Sequence, residues 1–248
     1  MKPSEAFYKF SQKEINGALL MRSVVSYSGY ILPASLQHAP FDVYFGEGED
    51  LTFYLFEDNE NFELWCEEND QEQLFTGPFS GWDIVPHLRD SLQFLNINSE
   101  ADHAFHYQNR QIPQLKKLAE AIAIETAMHD KARADEFFDR LKRYEDFKML
   151  FRSGGETGMQ LVLAPDNQGR KLIPIFTAED SFQLFLDQMT PIIQKEVCSP
   201  YVMTRKGTEL FAQLATIPAD GVVFNPVGYA RPKAFAMQFC NVIANHQA

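Results

Sequence analysis

The segment Leu55-Phe56-Glu57-Asp58-Asn59-Glu60-Asn61-Phe62-Glu63-Leu64-Trp65 reads like a second one, Ile175-Phe176-Thr177-Ala178-Glu179-Asp180-Ser181-Phe182-Gln183-Leu184-Phe185. In each, an apolar run ending in Phe passes through a short acidic cap into a helical pattern with aromatic residues three apart, Phe62/Trp65 and Phe182/Phe185. A second match follows, Ser80-Gly81-Trp82-Asp83-Ile84-Val85-Pro86-His87-Leu88 against Lys206-Gly207-Thr208-Glu209-Leu210-Phe211-Ala212-Gln213-Leu214. A repeat of this length sets the architecture before any motif does. It predicts an α/β (α+β) protein of two tandem similar lobes, 1–129 and 130–248, each a small mixed β-sheet packed with helices.

Outward from the repeat, both halves parse alike. Helical spacing predicts an opening helix over Ser4 to Leu20 in one and over Lys131 to Phe151 in the other. Extended segments follow at Val24–Leu32 and Thr52–Phe56, and at Met159–Ala164 and Leu172–Phe176. Pro165-Asp166-Asn167-Gln168-Gly169 is a hairpin turn, and the first half carries a longer insert there, Pro33 to Asp50. The repeated helices cover Asp58 to Glu68 and Glu179 to Met189, with acids in the first turn where the helix dipole favours them. Short strands follow at Gln73–Thr76 and Tyr201–Thr204. Helices open after Gly81 and Gly207, the first with Ser80 and Asp83 spaced as a capping box. Strands at Gln93–Ile97 and Val222–Phe224 precede closing helices, one starting at Pro113 and one over Lys233 to Asn245. The polar stretch Asn98 to Arg110 reads as loop, and the joint near Met128–Ala132 is helical in pattern.

Of 248 residues, 45% are hydrophobic and 22 are Phe, enough to build two cores. No apolar run approaches the roughly 20 residues that cross a bilayer, and Met1 to Gly17 lacks the apolar core of a signal peptide. These features predict a cytoplasmic protein without a membrane segment. Cys66, Cys198 and Cys240 are odd in number and far apart, which argues against a disulfide framework or a zinc site.

The net charge of −12 is unevenly placed. Residues 1–128 hold 20 Asp/Glu and 8 Lys/Arg, a balance of 8 − 20 = −12; residues 129–248 hold 14 of each. No Lys or Arg occurs between Arg22 and Arg89, a span of 66 residues that holds Glu47, Glu49, Asp50, Glu57, Asp58, Glu60, Glu63, Glu67, Glu68, Asp70 and Glu72. Such a field repels phosphate backbones and excludes nucleic acid as a partner of the first lobe. It attracts a basic protein surface, the alternative being an acidic face that serves solubility.

No motif nominates an enzyme, a metal or a cofactor. Ser153-Gly154-Gly155-Glu156-Thr157-Gly158 lacks the Lys of a phosphate-binding loop and reads as a glycine-rich helix stop. His103 and His106 lack the Glu of a zinc-protease helix. Asp58-Asn59-Glu60-Asn61 lacks the glycine and distal glutamate of a calcium loop. No Gly-x-Ser-x-Gly turn is present.

Leu172-Ile173-Pro174-Ile175-Phe176-Thr177, Glu209-Leu210-Phe211 and Val222-Val223-Phe224-Asn225-Pro226 together resemble the SseB N-terminal domain family over residues 158–246. These are bacterial cytoplasmic proteins. A diverged copy covers residues 18–128, with Phe56-Glu57 in place of Phe-Thr, Asp83-Ile84 in place of Glu-Leu, and only Asn96 and Asn98 where Asn-Pro is expected. The resemblance implies neither catalytic residues nor a cofactor. The resulting expectation is a non-enzymatic protein-interaction module. Its candidate binding residues are Glu57, Asp58, Glu60, Glu63, Glu67 and Glu68 on an acidic docking face, and Thr177 and Asn225 on a strand-end loop. Two alternatives accompany it: a ligand-binding protein or enzyme with a cleft between the lobes, and an immunity- or inhibitor-type protein that binds a basic partner.

Overall fold

The computed structural model describes residues 1–35, 39, 41–46, 50–153, 159–195 and 201–245. The chain divides into two compact units, Met1–Ile122 and Ala123–Ala248. Both mix helices with small sheets, the α/β class expected from the repeat.

The first unit opens on α1 (Pro3–Ser11) and α2 (Gly17–Ser26), where the sequence pattern predicts one helix. The chain breaks at Lys13, whose φ of 62° is left-handed, and restarts at Asn16, whose side chain accepts from the Leu19 N–H at 2.9 Å. Val24 and Val25, expected in a strand, end α2 instead. Both are fully buried there, and burial outweighs the few tenths of a kcal/mol by which β-branched residues disfavour a helix.

Strand β1 (Tyr30–Pro33) pairs antiparallel with β3 (Phe75–Phe79). Strand β2 (Thr52–Leu55) pairs parallel with β4 (Phe94–Ile97), and β4 pairs antiparallel with β5 (Phe105–Gln108). A bridge between Ile31 and Phe56 joins the two sets. A parallel pair needs a crossover, and here it contains α3 (Asn59–Asn69), β3 and the short α4 (Gly81–Ile84). Alternation along β2 sends Phe53 and Leu55 into a core with Val24, Ile84, Leu95 and Ile97. It sends Tyr54 to the other face, where Phe56 meets Phe62 and Trp65 of α3. The first half of α5 (Ile112–His129) closes the larger core through Ile112, Leu115, Ala119 and Ile122. Ser80 makes no side-chain cap on α4, contrary to the capping-box spacing. That helix is held by the Gly81 N–H, which donates to the Tyr27 carbonyl at 2.8 Å.

In the second unit α6 (Ala134–Arg143) is shorter than its pattern suggests, because Phe147, Leu150 and Phe151 belong to β6 (Phe147–Ser153). Strand β6 pairs antiparallel with β7 (Met159–Leu161) and β10 (Tyr201–Arg205). Strand β9 (Lys171–Ile175) pairs antiparallel with β8 (Ala164–Pro165) and parallel with β11 (Gly221–Phe224), which pairs antiparallel with β12 (Lys233–Ala236). A Lys148–Phe176 bridge joins β6 to the end of β9. Helix α7 (Glu179–Lys195) follows β9, α8 (Gly207–Leu214) follows β10, and α9 (Gln238–Asn245) follows β12. Lys233–Ala236 is strand where helix was expected, and its Phe235 stacks on Phe239 at 4.1 Å. Phe137, Phe211 and Phe224 complete that aromatic core.

Ahead of β6, Arg133 and Arg140 grip Glu136 at 2.6 and 2.8 Å. The hydrogen bonds from Arg133 first, then those from Arg140, hold its carboxyl down at about 2 against an ordinary 4.5. A depressed folded value means the contribution to stability is complete above pH 4.5 and lost as pH falls through about 2. Glu136→Gln is therefore destabilised at pH 7, and its deficit relative to the parent shrinks between pH 4.5 and 2. Urea denaturation of both proteins across that window checks it; a deficit independent of pH contradicts the pairing.

Candidate functional site

The two units share a set of hydrogen bonds at the carboxyl ends of their parallel strands. In unit one the Glu57 N–H donates to Asn98 Oδ1 at 2.9 Å; in unit two the Thr177 N–H donates to Asn225 Oδ1 at 3.1 Å. Both asparagines are buried, and both are left-handed, with φ of 49° and 45°. Asparagine is the non-glycine residue that best tolerates this conformation while its side chain bonds locally. The Tyr27 hydroxyl donates to the Glu57 carbonyl at 2.9 Å, and the Tyr144 hydroxyl donates to that of Thr177. Asn98 is thus the counterpart of Asn225, although no proline follows it.

The units differ in where the carboxylate sits. In unit one it is Glu57 itself, which accepts from the Ser4 N–H at 2.5 Å and the Ser4 hydroxyl at 2.7 Å, at the amino end of α1. In unit two it is Glu125 of α5, which accepts from the Thr177 hydroxyl at 2.8 Å and from Asn225 Nδ2 at 3.0 Å. Glu57, Thr177, Asn225 and Glu125 are all buried. Glu57, Thr177 and Asn225, expected as binding residues, are instead internal clamps whose polar atoms are taken up by the fold. Glu125 carried no sequence signal, since its partners lie 52 and 100 residues away.

The remaining acidic candidates lie on α3. Asp58 caps the helix by accepting from the Asn61 N–H at 3.1 Å, and pairs with Lys2 at 3.3 Å. Phe62, Trp65 and Cys66 turn inward. Spacings of three and four residues then place Glu60, Glu63, Leu64, Glu67 and Glu68 together on the outward face, all exposed. None of these four glutamates forms an ion pair among the described residues. Three large apolar residues are exposed on or beside this helix: Leu64 at 37%, Leu74 at 41% and Phe75 at 50%. Phe75 leans edge-on against Phe62 at 5.8 Å, which fixes it next to α3.

Other sequence candidates disperse. His106 lies on β5 opposite Asn96, and His103 sits in the preceding turn against Tyr8, so the two imidazoles do not share a helix face. Burial pushes the Cys66 thiol up and raises Cys240 to about 12, as suits packed core thiols. Residues 154–158 of the glycine-rich segment, Glu47, Glu49 and Cys198 lie outside the described residues. Among the described residues no helix is long and apolar enough to cross a membrane. Fold and site define a mixed α/β protein with satisfied strand-end clamps and one unpaired acidic helix face. Compared with known proteins, the chain matches no family model, no curated protein and no solved structure.

Proposed function

We propose that this chain is a non-enzymatic cytoplasmic interaction protein, similar to the SseB N-terminal family, that docks a basic protein partner on the outward face of α3. The observation that carries this reading is the set of four exposed, unpaired glutamates around Leu64 on one helix face. The arrangement costs the helix stability. Glu63 and Glu67 are like charges four residues apart, and Glu67 and Glu68 occupy the last turn, where the dipole disfavours anions and no basic residue is present. Each effect costs roughly 0.2–1 kcal/mol in a helix of ordinary exposure. A face kept for solubility alone gains nothing from that placement, whereas a docking face does.

Reversing Glu60, Glu63, Glu67 and Glu68 to Lys separates function from folding. The variant keeps a like-charge pair at 63 and 67 and trades a favourable acid in the first turn for favourable cations in the last, so its stability is expected to stay near the parent's. It is also expected to lose the partner recovered from host lysate by the parent, and parental recovery should itself fall as salt rises. Unchanged recovery by the reversed protein, with parental stability, refutes acidic docking.

A further inference from the structure

Helix α1 is held to the first unit by few contacts. It buries only Pro3 and Ala6. Its other ties include the two bonds from Ser4 to the buried Glu57 carboxylate, the exposed Lys2–Asp58 pair, and Phe7 stacked on Phe105 at 4.7 Å. Among the described residues the Glu57 carboxylate bonds only to Ser4, so this buried charge depends on α1 for its hydrogen bonds.

The link from α1 to α2 works against this docked form. Residues 4–20 carry the spacing of one continuous helix, yet the chain breaks at Lys13. Lys13 lies just past the end of α1 with φ of 62°, a conformation in which glycine would be unstrained. Its N–H and that of Glu14 turn back to the Phe10 and Lys9 carbonyls, each at 2.9 Å. Straightening the link gives up this turn and the Asn16 cap on α2, and it relieves the left-handed lysine. These effects are of similar size and opposite sign. A local pattern in conflict with the fold, at a junction so evenly balanced, marks an element with two arrangements.

In the second unit the corresponding seat is filled by α5, whose first half packs in the core of the first unit and whose Glu125 meets the Thr177 hydroxyl at 2.8 Å. Ala127 is buried two residues after Glu125, as Ala6 is two residues after Ser4. The hydroxyl–carboxylate pair is common to both seats with its ends exchanged: Ser4 on the helix meets Glu57, and Glu125 on the helix meets Thr177.

We propose that α1 exchanges between two copies of this chain, Ser4 of each bonding Glu57 of the other as the link straightens. A second copy is the occupant the seat specifies, because it brings the identical helix and remakes every contact of the closed form. Only the link differs, so relief at two lysines favours the dimer against the entropy of association. The proposal stands apart from the docking reading and uses none of the four exposed glutamates.

Sedimentation equilibrium on the full chain tests it. The parent should show a concentration-dependent equilibrium between monomer and dimer. Lys13→Gly, at an exposed position, removes the strain from the closed form and should weaken the dimer about tenfold or more. Lys13→Val, β-branched and intolerant of positive φ, should strengthen it by a similar factor. Complementation then identifies exchange. Ser4→Glu alone sets a second carboxylate against Glu57, and Glu57→Thr alone leaves two hydroxyls facing each other. Mixed in mild urea and returned to buffer, the two chains can exchange α1 so that one seat regains the parental pair and the other acquires the Glu–Thr pair of unit two. The mixture should form a heterodimer about tenfold or more tighter than either chain's self-association, whereas an unexchanged dimer gains nothing from mixing. A parent and a Lys13→Val variant that both stay monomeric, a dimer indifferent to residue 13, or a mixture that associates no better than its components overturns the proposal.

Discussion

Gly207→Ala is expected to lower the free energy of unfolding by about 3 kcal/mol or more, at the upper end of overpacking costs. A Cβ at this position would lie 1.7 Å from the Leu141 carbonyl oxygen, 2.8 Å from its carbon and 3.2 Å from Lys142 Cα. All three are backbone atoms of α6, so no side chain can swing aside. Relief requires α8 to draw away from α6, which also loosens the packing among Phe137, Phe211 and Phe239. It would pull the Gly207 N–H from the Tyr144 carbonyl, a bond of 2.8 Å. Against this stands the higher helix propensity of Ala, at most about 1 kcal/mol, so the steric term decides the sign. Gly169→Ala is the control. Its φ of +76° makes any side chain strained, but nothing lies within 4 Å of the added Cβ, so the cost should be about 1–2 kcal/mol. Denaturant midpoints for both variants decide the matter, with unchanged m-values confirming that stability alone has moved. Equal losses at the two positions would mean that the α6–α8 approach is looser than the structure shows. Gly81 repeats the device in unit one, with Val24 and Val25 carbonyl oxygens 2.5 and 2.6 Å from an added Cβ.

These glycines explain why one stretch of sequence was so informative. The pairs Phe56/Phe176 and Gly81/Gly207 recur because each sits where one backbone must approach another: the first at a bridge between strand sets, the second at a helix crossing. Elements around them were legible for the same reason. The parallel strands ending at Leu55 and Ile175 and the helices that follow lie where apolar spacing and acidic caps place them. Misreadings cluster where burial overrides local pattern. Val24 and Val25 are β-branched residues in a helix, and Phe147 and Leu150 continue a helical spacing into a strand. Strand β5 was hidden by its alternation of Phe105 and Tyr107 with His106 and Gln108, which reads as polar loop.

The candidate site was half legible. Charge counting finds α3 because exposure and acidity travel together. It misplaces Glu57, whose carboxylate is buried at the amino end of α1, since a count carries no depth. Leu74 and Phe75 fall in the segment expected as a strand, Gln73–Thr76, and only the structure shows them exposed beside α3.

Asn225→Ala is expected to cost roughly 3–5 kcal/mol, the range for removing one partner of a buried charge. Three bonds go at once: Oδ1 from the Thr177 N–H at 3.1 Å, and Nδ2 to Glu125 at 3.0 Å and to Thr177 Oγ1 at 2.9 Å. Asn98→Ala in unit one removes the single bond from the Glu57 N–H, and should cost only about 1–2 kcal/mol beyond the strain common to both left-handed positions. The difference between the two isolates what Asn225 does for the Glu125 carboxylate. Asn225→Asp sharpens the test, because it keeps the acceptor for the Thr177 N–H but sets a second carboxylate at hydrogen-bond distance from Glu125. It should therefore be less stable than the parent, because a second carboxylate stands where the Asn225 amide donated to Glu125. A double-mutant cycle with Glu125→Gln should give a coupling of at least about 1 kcal/mol. Equal costs at Asn98 and Asn225, with no coupling to Glu125, would reduce the clamp to backbone conformation alone and leave the buried carboxylate unexplained.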